Sequence, residues 1–159
     1  MKVLVTGHRG YIGVEMVGVL RAAGHEVVGL DTGFFDECDF IAPPDAIPEL
    51  KVDLRDVGPE HLAGIDAVAH LGALSNDPLG DLNPKLTYDI NLHASLRLAR
   101  AAKQAKVRRF LFSSSCSLYG AGGDGLLDEN AAFSPVTPYG ESKIRVEQEL
   151  ASLADDSFS

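Results

Sequence analysis

Tyr139 and Lys143 stand four residues apart in the run Tyr139-Gly140-Glu141-Ser142-Lys143. On a helix that spacing puts both side chains on one face. An ammonium beside a phenol favours the phenolate and lowers a tyrosine pKa from its ordinary value of about 10. A tyrosine so placed can take a proton near neutral pH. The chemistry needs something to act with, and a second group of residues near the N-terminus supplies a candidate holder for it.

That group reads Thr6-Gly7-His8-Arg9-Gly10-Tyr11-Ile12-Gly13. Glycines at this spacing let a chain turn tightly, approach a pyrophosphate and pack helix against strand. The helix that follows offers free N–H groups and a partial positive charge to the phosphates. The turn follows a strand-like run and opens a helix-like one, the context in which a glycine triplet implies a bound dinucleotide. Asp31 lies 18 residues after Gly13, where a carboxylate accepts from the adenosine ribose hydroxyls. A carboxylate there repels a 2′-phosphate, so the expected cofactor is NAD and not NADP. Asp53, in Val52-Asp53-Leu54, is a weaker candidate for the adenine amino group.

The elements that must hold these residues follow from hydrophobic patterning. Lys2–Thr6 reads as a buried strand, followed by a helix with Ile12, Met16, Val19, Leu20 and Ala23 on one side and a stop at Gly24. Glu26–Leu30, Leu50–Leu54, Asp66–Leu71 and Arg108–Ser113 read as further strands. One long helix is expected from about Asn83 to Ala105, with Leu92, Leu96 and Ala99 buried, and a last one from Pro138 with Thr137 as N-cap. Strands alternating with helices imply parallel pairing through right-handed crossovers, hence a doubly wound α/β sheet of the Rossmann type. The segments Thr32–Pro48 and Tyr119–Pro138, rich in Gly, Pro and Asp, read as surface loops. Alternation calls for another strand after Leu153, where the sequence instead reads Asp155-Asp156-Ser157-Phe158-Ser159.

The totals are those of an ordinary globular domain: 159 residues, 45% hydrophobic and 23% charged. A net charge of −9 argues against a general nucleic-acid binder. No apolar run approaches membrane-spanning length and the N-terminus lacks a signal peptide's pattern, so a cytoplasmic location without membrane attachment is expected. Cys38 and Cys116 form no CxxC pair and are expected to be reduced. His8, His25, His61 and His93 show no zinc-ligand spacing, so no metal site is expected.

Taken in order, TGHRGYIG, Asp31, VDLRD, His70–Ala73, Asn91, Ser113–Gly120 (SSSCSLYG) and Tyr139–Lys143 make the chain resemble the extended short-chain dehydrogenase/reductase family, in its NAD-dependent sugar-nucleotide epimerase and dehydratase branch. The resemblance implies that Tyr139 takes the proton from a sugar hydroxyl as hydride passes to the nicotinamide. Lys143 would hold the nicotinamide ribose, and Ser115 would hydrogen-bond the reacting hydroxyl. Ser113 and Ser114 are read as strand-end residues, with Ser113 also close enough to contact cofactor. The implied cofactor site comprises Gly7, Gly10, Tyr11, Ile12, Gly13, Asp31, Asp53, Leu54, Leu71, Gly72, Ala73, Asn91, Ser113, Tyr139 and Lys143. His70 is assigned to the strand end as a structural residue. Residues 1–159 would form the NAD-binding domain only, without the C-terminal substrate domain. A homodimer through the helices near 83–105 and 139–154 is implied as well.

The family's dehydratases typically carry an Asp-Glu pair directly after the Ser/Thr position; this sequence has Cys116-Ser117. Neither is a carboxylic acid, which favours epimerisation of a nucleotide sugar over dehydration. Cys116 is read as a buried strand-end thiol or, alternatively, as an acid/base beside the oxidised carbon. A reductase or dehydrogenase of a related substrate and a non-catalytic NAD-binding module are the competing functions. Ser75, Asn76 and the 119–138 loop are candidates for sugar contacts.

Overall fold

Between Lys2 and Thr6 the chain is entirely aliphatic, and it forms a strand, β1 (Lys2–Thr6), whose Leu4 and Val5 are fully buried. The computed structural model describes residues 1–36, 38, 46–75, 77–120 and 125–159. Five parallel strands make one sheet: β1, β2 (Glu26–Asp31), β3 (Glu49–Lys51), β4 (Ala67–His70) and β5 (Arg109–Phe112), in the order β3-β2-β1-β4-β5. The order turns back at β1 and β4, so their C-terminal ends open a crevice of the kind that holds dinucleotides in doubly wound sheets.

Helix α1 (Tyr11–Ala22) covers one face, where Val17 joins Val3, Val5, Val27, Ala67 and Ala69. The larger cluster lies on the other face, where Leu98, Ala99 and Ala102 pack on Leu4, Val28, Leu30, Leu62 and Val68. Burying two faces explains why the central strands lack hydrophobic alternation.

Three expectations about elements change. The third strand ends at Lys51, and Leu54 lies instead in a short helical turn, Leu54–Asp56, capped by the Asp53 carboxylate on the Arg55 N–H at 2.9 Å. An unexpected short helix, α2 (Asp77–Leu82), precedes Asn83. Its Asp77-Pro78 start is a helix-initiation signature that the surrounding polar run masks. The expected helix from Asn83 to Ala105 is α3 (Pro84–Thr87), a π-helical stretch (Tyr88–Ala94) and α4 (Ser95–Gln104) end to end. Leu92, Leu96 and Ala99 are buried along it, while the π widening has no signature in residue periodicity. The last helix, α5 (Pro138–Leu153), starts as read: the Thr137 hydroxyl accepts from the Gly140 N–H at 3.1 Å.

Beyond α5, Phe158 is buried against Phe110, ring centroids 6.0 Å apart. Ser159 then takes a strand-like place on the outer edge of β5. Its carbonyl accepts from the Phe110 N–H at 2.7 Å, and its N–H donates to the Arg108 carbonyl at 3.2 Å. Among the described residues no helix is long and apolar enough to cross a membrane.

His70, at the end of β4, ties the crevice together. The single Ser95 hydroxyl proton goes to the Asn91 carbonyl at 2.7 Å, so His70 Nε2, 2.8 Å from Ser95 Oγ, must be the protonated nitrogen. His70 Nδ1 therefore accepts from the Thr6 hydroxyl at 2.7 Å, and Thr6 Oγ1 in turn accepts from the Leu71 and Gly72 N–H groups. Burial pushes the His70 pKa down to about 3, with the Lys143 ammonium acting in the same direction. Its folded pKa is thus below the unfolded value, so the stabilisation is complete above about pH 6.5 and fades as pH falls toward 3, at roughly 1.4 kcal/mol per unit. Denaturant unfolding between pH 7 and 5 should show this slope, and a His70→Gln variant that still folds should lose it.

Candidate functional site

The turn after β1 closes only because two positions lack side chains. Gly7 adopts φ +70°, and a Cβ on it would sit 2.9 Å from Gly72 Cα in the loop after β4. A Cβ on Gly13 would lie 2.1 Å from the Gly7 carbonyl oxygen and 2.7 Å from His8 Cα. The first turn of α1 is thereby pressed onto the strand end, and its N–H groups, which have no partner within the helix, face the crevice. Tyr11 and Ile12 are exposed there.

Asp31 ends β2 beside this turn. One carboxylate oxygen accepts from the Gly33 N–H at 2.9 Å and the other from the Arg9 N–H at 3.3 Å. Arg9 itself is held by Glu49, at 2.8 Å, and by Asp36, at 3.0 Å. His8 was not singled out in the sequence, yet its ring is buried under β2: a Cβ on Gly29 would fall 2.5 Å from three ring atoms. The Asp53 carboxylate is occupied by the Arg55 guanidinium at 2.8 Å and 3.0 Å, which holds its pKa below the ordinary carboxylate value. The same carboxylate caps the turn, accepting from the Arg55 N–H at 2.9 Å.

Leu71, Gly72 and Ala73 follow β4 and line the other side of the crevice. Asn91 is buried and clamps this loop, its Oδ1 accepting from the Leu74 N–H at 2.8 Å and its Nδ2 donating to the Leu74 carbonyl at 3.0 Å. One donor and one acceptor of its amide are thus used on the loop backbone. Leu54 packs beneath: a Cβ on Gly72 would touch its Cδ1 at 3.0 Å.

Ser115, Tyr139 and Lys143 come together across the end of β5. Lys143 is buried, its Nζ donating to the Ser113 carbonyl at 2.8 Å and lying 4.6 Å from the Phe112 ring centroid and 5.6 Å from that of Tyr139. Burial lowers its pKa to about 8, against the pull of Glu147. Tyr139 departs from the sequence expectation. Burial raises its pKa, Asp77 and Cys116 push the same way, and only the hydrogen bond with Ser115 opposes them. The ammonium is turned to Ser113 and does not offset desolvation of the phenol.

Cys116 is exposed and opens a one-turn helix, Cys116–Tyr119, so the reading of a buried strand-end thiol is corrected. The chain leaves the sheet one turn earlier than residue polarity suggests, because the Ser115 hydroxyl accepts from the Ser117 N–H at 3.2 Å and starts that turn. Cys38 is also free. Asp77 is the site residue that the sequence did not reveal: its carboxylate accepts from Ser117 Oγ at 3.0 Å and from Thr137 Oγ1. Asn76 and positions 121–124, read as sugar-contact candidates, lie outside the described residues.

The residues present fit a dinucleotide. The turn has no room for a Cβ at Gly13, the first N–H groups of α1 lie at this turn without partners in the helix, and Ser114 Oγ is buried with no partner among the described residues, next to the carbonyl that anchors Lys143. A parallel sheet with a glycine turn at its switch point, and a Ser, a Tyr and a Lys gathered at the end of β5, defines a domain of the dinucleotide-binding type. Residues 3–158 match the model of the NAD dependent epimerase/dehydratase family, and the chain belongs to that family. It is 34% identical to a UDP-glucose 4-epimerase of Lactobacillus helveticus over 161 residues, which covers 95% of this chain and 46% of that protein. Among solved structures it resembles the UDP-N-acetylglucosamine 4-epimerase of Methanobrevibacter ruminantium M1, with TM-score 0.88, 30% identity and coverage of 98% of this chain and 51% of the other. It also resembles an NAD dependent NDP-hexosamine 5,6-dehydratase involved in tunicamycin biosynthesis, with TM-score 0.86, 26% identity and coverage of 100% and 52%. The chain spans about half the length of the curated relatives it matches.

Proposed function

We propose that this chain supplies the cofactor-binding and proton-transfer half of a nucleotide-sugar 4-epimerase. The observation that carries the reading is the meeting of Ser115, Tyr139 and Lys143 at the end of β5 in a chain of this family. NAD, when bound, supplies a reversible hydride acceptor. Gly7, Gly10 and Gly13 bring the backbone up to its pyrophosphate, and Asp31 accepts from the adenosine ribose, exchanging its present contacts with Gly33 and Arg9. Lys143 orients the ribose next to the nicotinamide. Tyr139 takes the C4 hydroxyl proton during oxidation and returns it during reduction, while Ser115 holds the oxygen that gains and loses it. Asn91 acts from behind, holding the Leu74 backbone and through it the loop after β4.

A 4-epimerase needs no further acid, because the same hydride returns to the other face of the ketone. Elimination of water does need one, and residues 116–117 are Cys-Ser. Asp77 does not fill that role readily, since both of its oxygens are engaged by protein hydroxyls. Dehydration is the second reading, prompted by the similarity to the 5,6-dehydratase.

The full-length protein should be incubated with NAD and a panel of UDP-hexoses deuterated at C4. Epimerisation inverts C4 and leaves the label on it. Dehydration across C5 and C6 lowers the product mass by one water wherever the label ends, and that outcome would replace the epimerase reading. Binding of NAD with no change in any sugar would favour a non-catalytic module.

A further inference from the structure

Arg9 has no part in the chemistry proposed above, yet it starts at the rim of the ribose site, its N–H 3.3 Å from Asp31 Oδ2. Its guanidinium is claimed elsewhere. Nε donates to Glu49 Oε2 at 3.0 Å, and Nη2 donates to Oε1 and Oε2 at 2.9 Å and 2.8 Å. Nη1 lies 3.0 Å from Asp36 Oδ1. The Arg9 pKa is raised, chiefly by the bond to Glu49 and further by the charges of Glu49, Asp36 and Asp31. Glu49 is itself fixed in place. It stands opposite Gly29 in the β2–β3 register, and the buried His8 ring fills the space over Gly29. From there His8 Nε2 donates to Glu49 Oε2 at 3.2 Å, since a carboxylate only accepts. Asp36 is tied through its other oxygen to Lys51 Nζ at 2.9 Å. Two cations, Arg9 and Lys51, thus stand among three carboxylates, Glu49, Asp36 and Asp31.

We propose that Glu49 and Asp36 are specificity-determining residues of the cofactor site: by holding the Arg9 guanidinium between them they withhold from the adenosine ribose a cation suited to a 2′-phosphate. A guanidinium presents a planar fork of N–H donors that matches phosphate oxygens. An arginine near the ribose is what accommodates the 2′-phosphate of NADP in dinucleotide folds. Arg9 is placed for that contact by its main chain and barred from it by its side-chain partners. Rejection of NADP therefore has two parts. Asp31 repels the added phosphate directly, while Glu49 and Asp36 keep its anchor occupied. Specificity of this kind rests on an unfavourable contact and a withheld favourable one together. A change at Asp31 alone leaves the second barrier standing.

The assignment rests on the proposed place of Asp31 at the adenosine ribose, and binding tests both without turnover. NAD and NADP would be titrated calorimetrically into full-length protein. Glu49→Gln keeps the shape of the side chain without its charge. It should raise the ratio of NADP to NAD affinity about tenfold, the size expected of charge-assisted hydrogen bonds set free at a half-exposed site. Arg9→Gln should change that ratio little in the parent yet remove the whole gain in Glu49→Gln. Equal effects of Arg9→Gln in the two backgrounds would be those of bare charge and would overturn the proposal. Asp36→Asn should give a smaller gain with the same dependence on Arg9, and it decides the matter if Glu49→Gln does not fold. A ratio that stays at the parent value in the folded variants also overturns the proposal. Asp31→Ala separates the two readings. Unchanged NAD affinity there overturns the placing of the ribose and this inference with it, whereas weaker NAD binding with no Arg9-dependent gain overturns the inference alone.

Discussion

Replacing Tyr139 with Phe in the full-length protein should reduce hydride transfer from a nucleotide sugar by on the order of 10³-fold while NAD affinity changes little. The asymmetry follows from where the hydroxyl sits. The ring is buried, and Gly80 lies close enough that a Cβ there would meet Tyr139 Cβ at 3.3 Å; a phenylalanine keeps all of that packing. What is lost is the phenolic oxygen, which in the proposed function accepts and returns the substrate proton. The measurement is single-turnover formation of NADH, with NAD binding followed separately by calorimetry. Turnover within a few-fold of the parent would remove Tyr139 from the chemistry and leave a binding domain. Because burial holds the phenol pKa above its ordinary value, the rate in the parent should still be rising with pH on the alkaline side of neutrality. Bound cofactor, whose nicotinamide is cationic, should shift that limb to lower pH.

The second large effect is expected at Gly13. An alanine there would place its Cβ 2.1 Å from the Gly7 carbonyl oxygen, well inside contact distance, and the obstructing atoms are backbone. Relief requires α1 to move off the end of β1, which opens the cradle and disturbs Val17 and the sheet face beneath it. Gly13→Ala should therefore cost about 3 kcal/mol of stability, as overpacking of a closed site does, and abolish detectable NAD binding. Denaturant midpoints and calorimetric titration with NAD test both parts. Unchanged NAD affinity would show that the turn is not the phosphate cradle. Gly18→Ala, on the same helix with open space around it, should leave both quantities near the parent values and serves as the control.

Much of this molecule is legible from local pattern. β1, β2 and α1 follow from short-range hydrophobicity and glycine placement, because each is a contiguous run whose burial is decided by the sheet they build. The Thr137-Pro138 start of α5 is a local signal too, and the Tyr139–Lys143 spacing places both residues on one helical face before any tertiary contact exists. The close approach of Gly13 to Gly7 belongs with these, since it is written within seven residues, whereas the demand at Gly7 comes from Gly72.

What the sequence could not supply are facts about neighbours distant along the chain. The widening of the helix at Tyr88–Ala94, which sets Asn91 against Leu74, depends on packing between π segment, loop and sheet, and no periodicity encodes it. Whether Lys143 lowers the Tyr139 pKa depended on where the ammonium points; the Ser113 carbonyl claims it, and desolvation decides the balance. Asp53 has a motif-like position, but Arg55 two residues on captures its carboxylate. Asp77 lies 62 residues before Tyr139 in an unremarkable polar run. Folding brings α2, the turn after β5 and the start of α5 to one point, and there hydrogen-bond valence, which is counted over all neighbours at once, gives it a partner on each oxygen. Residue type and spacing determined the glycine turn and the placing of Tyr139 and Lys143 on one helical face; only the tertiary structure decided which neighbours claim their polar atoms.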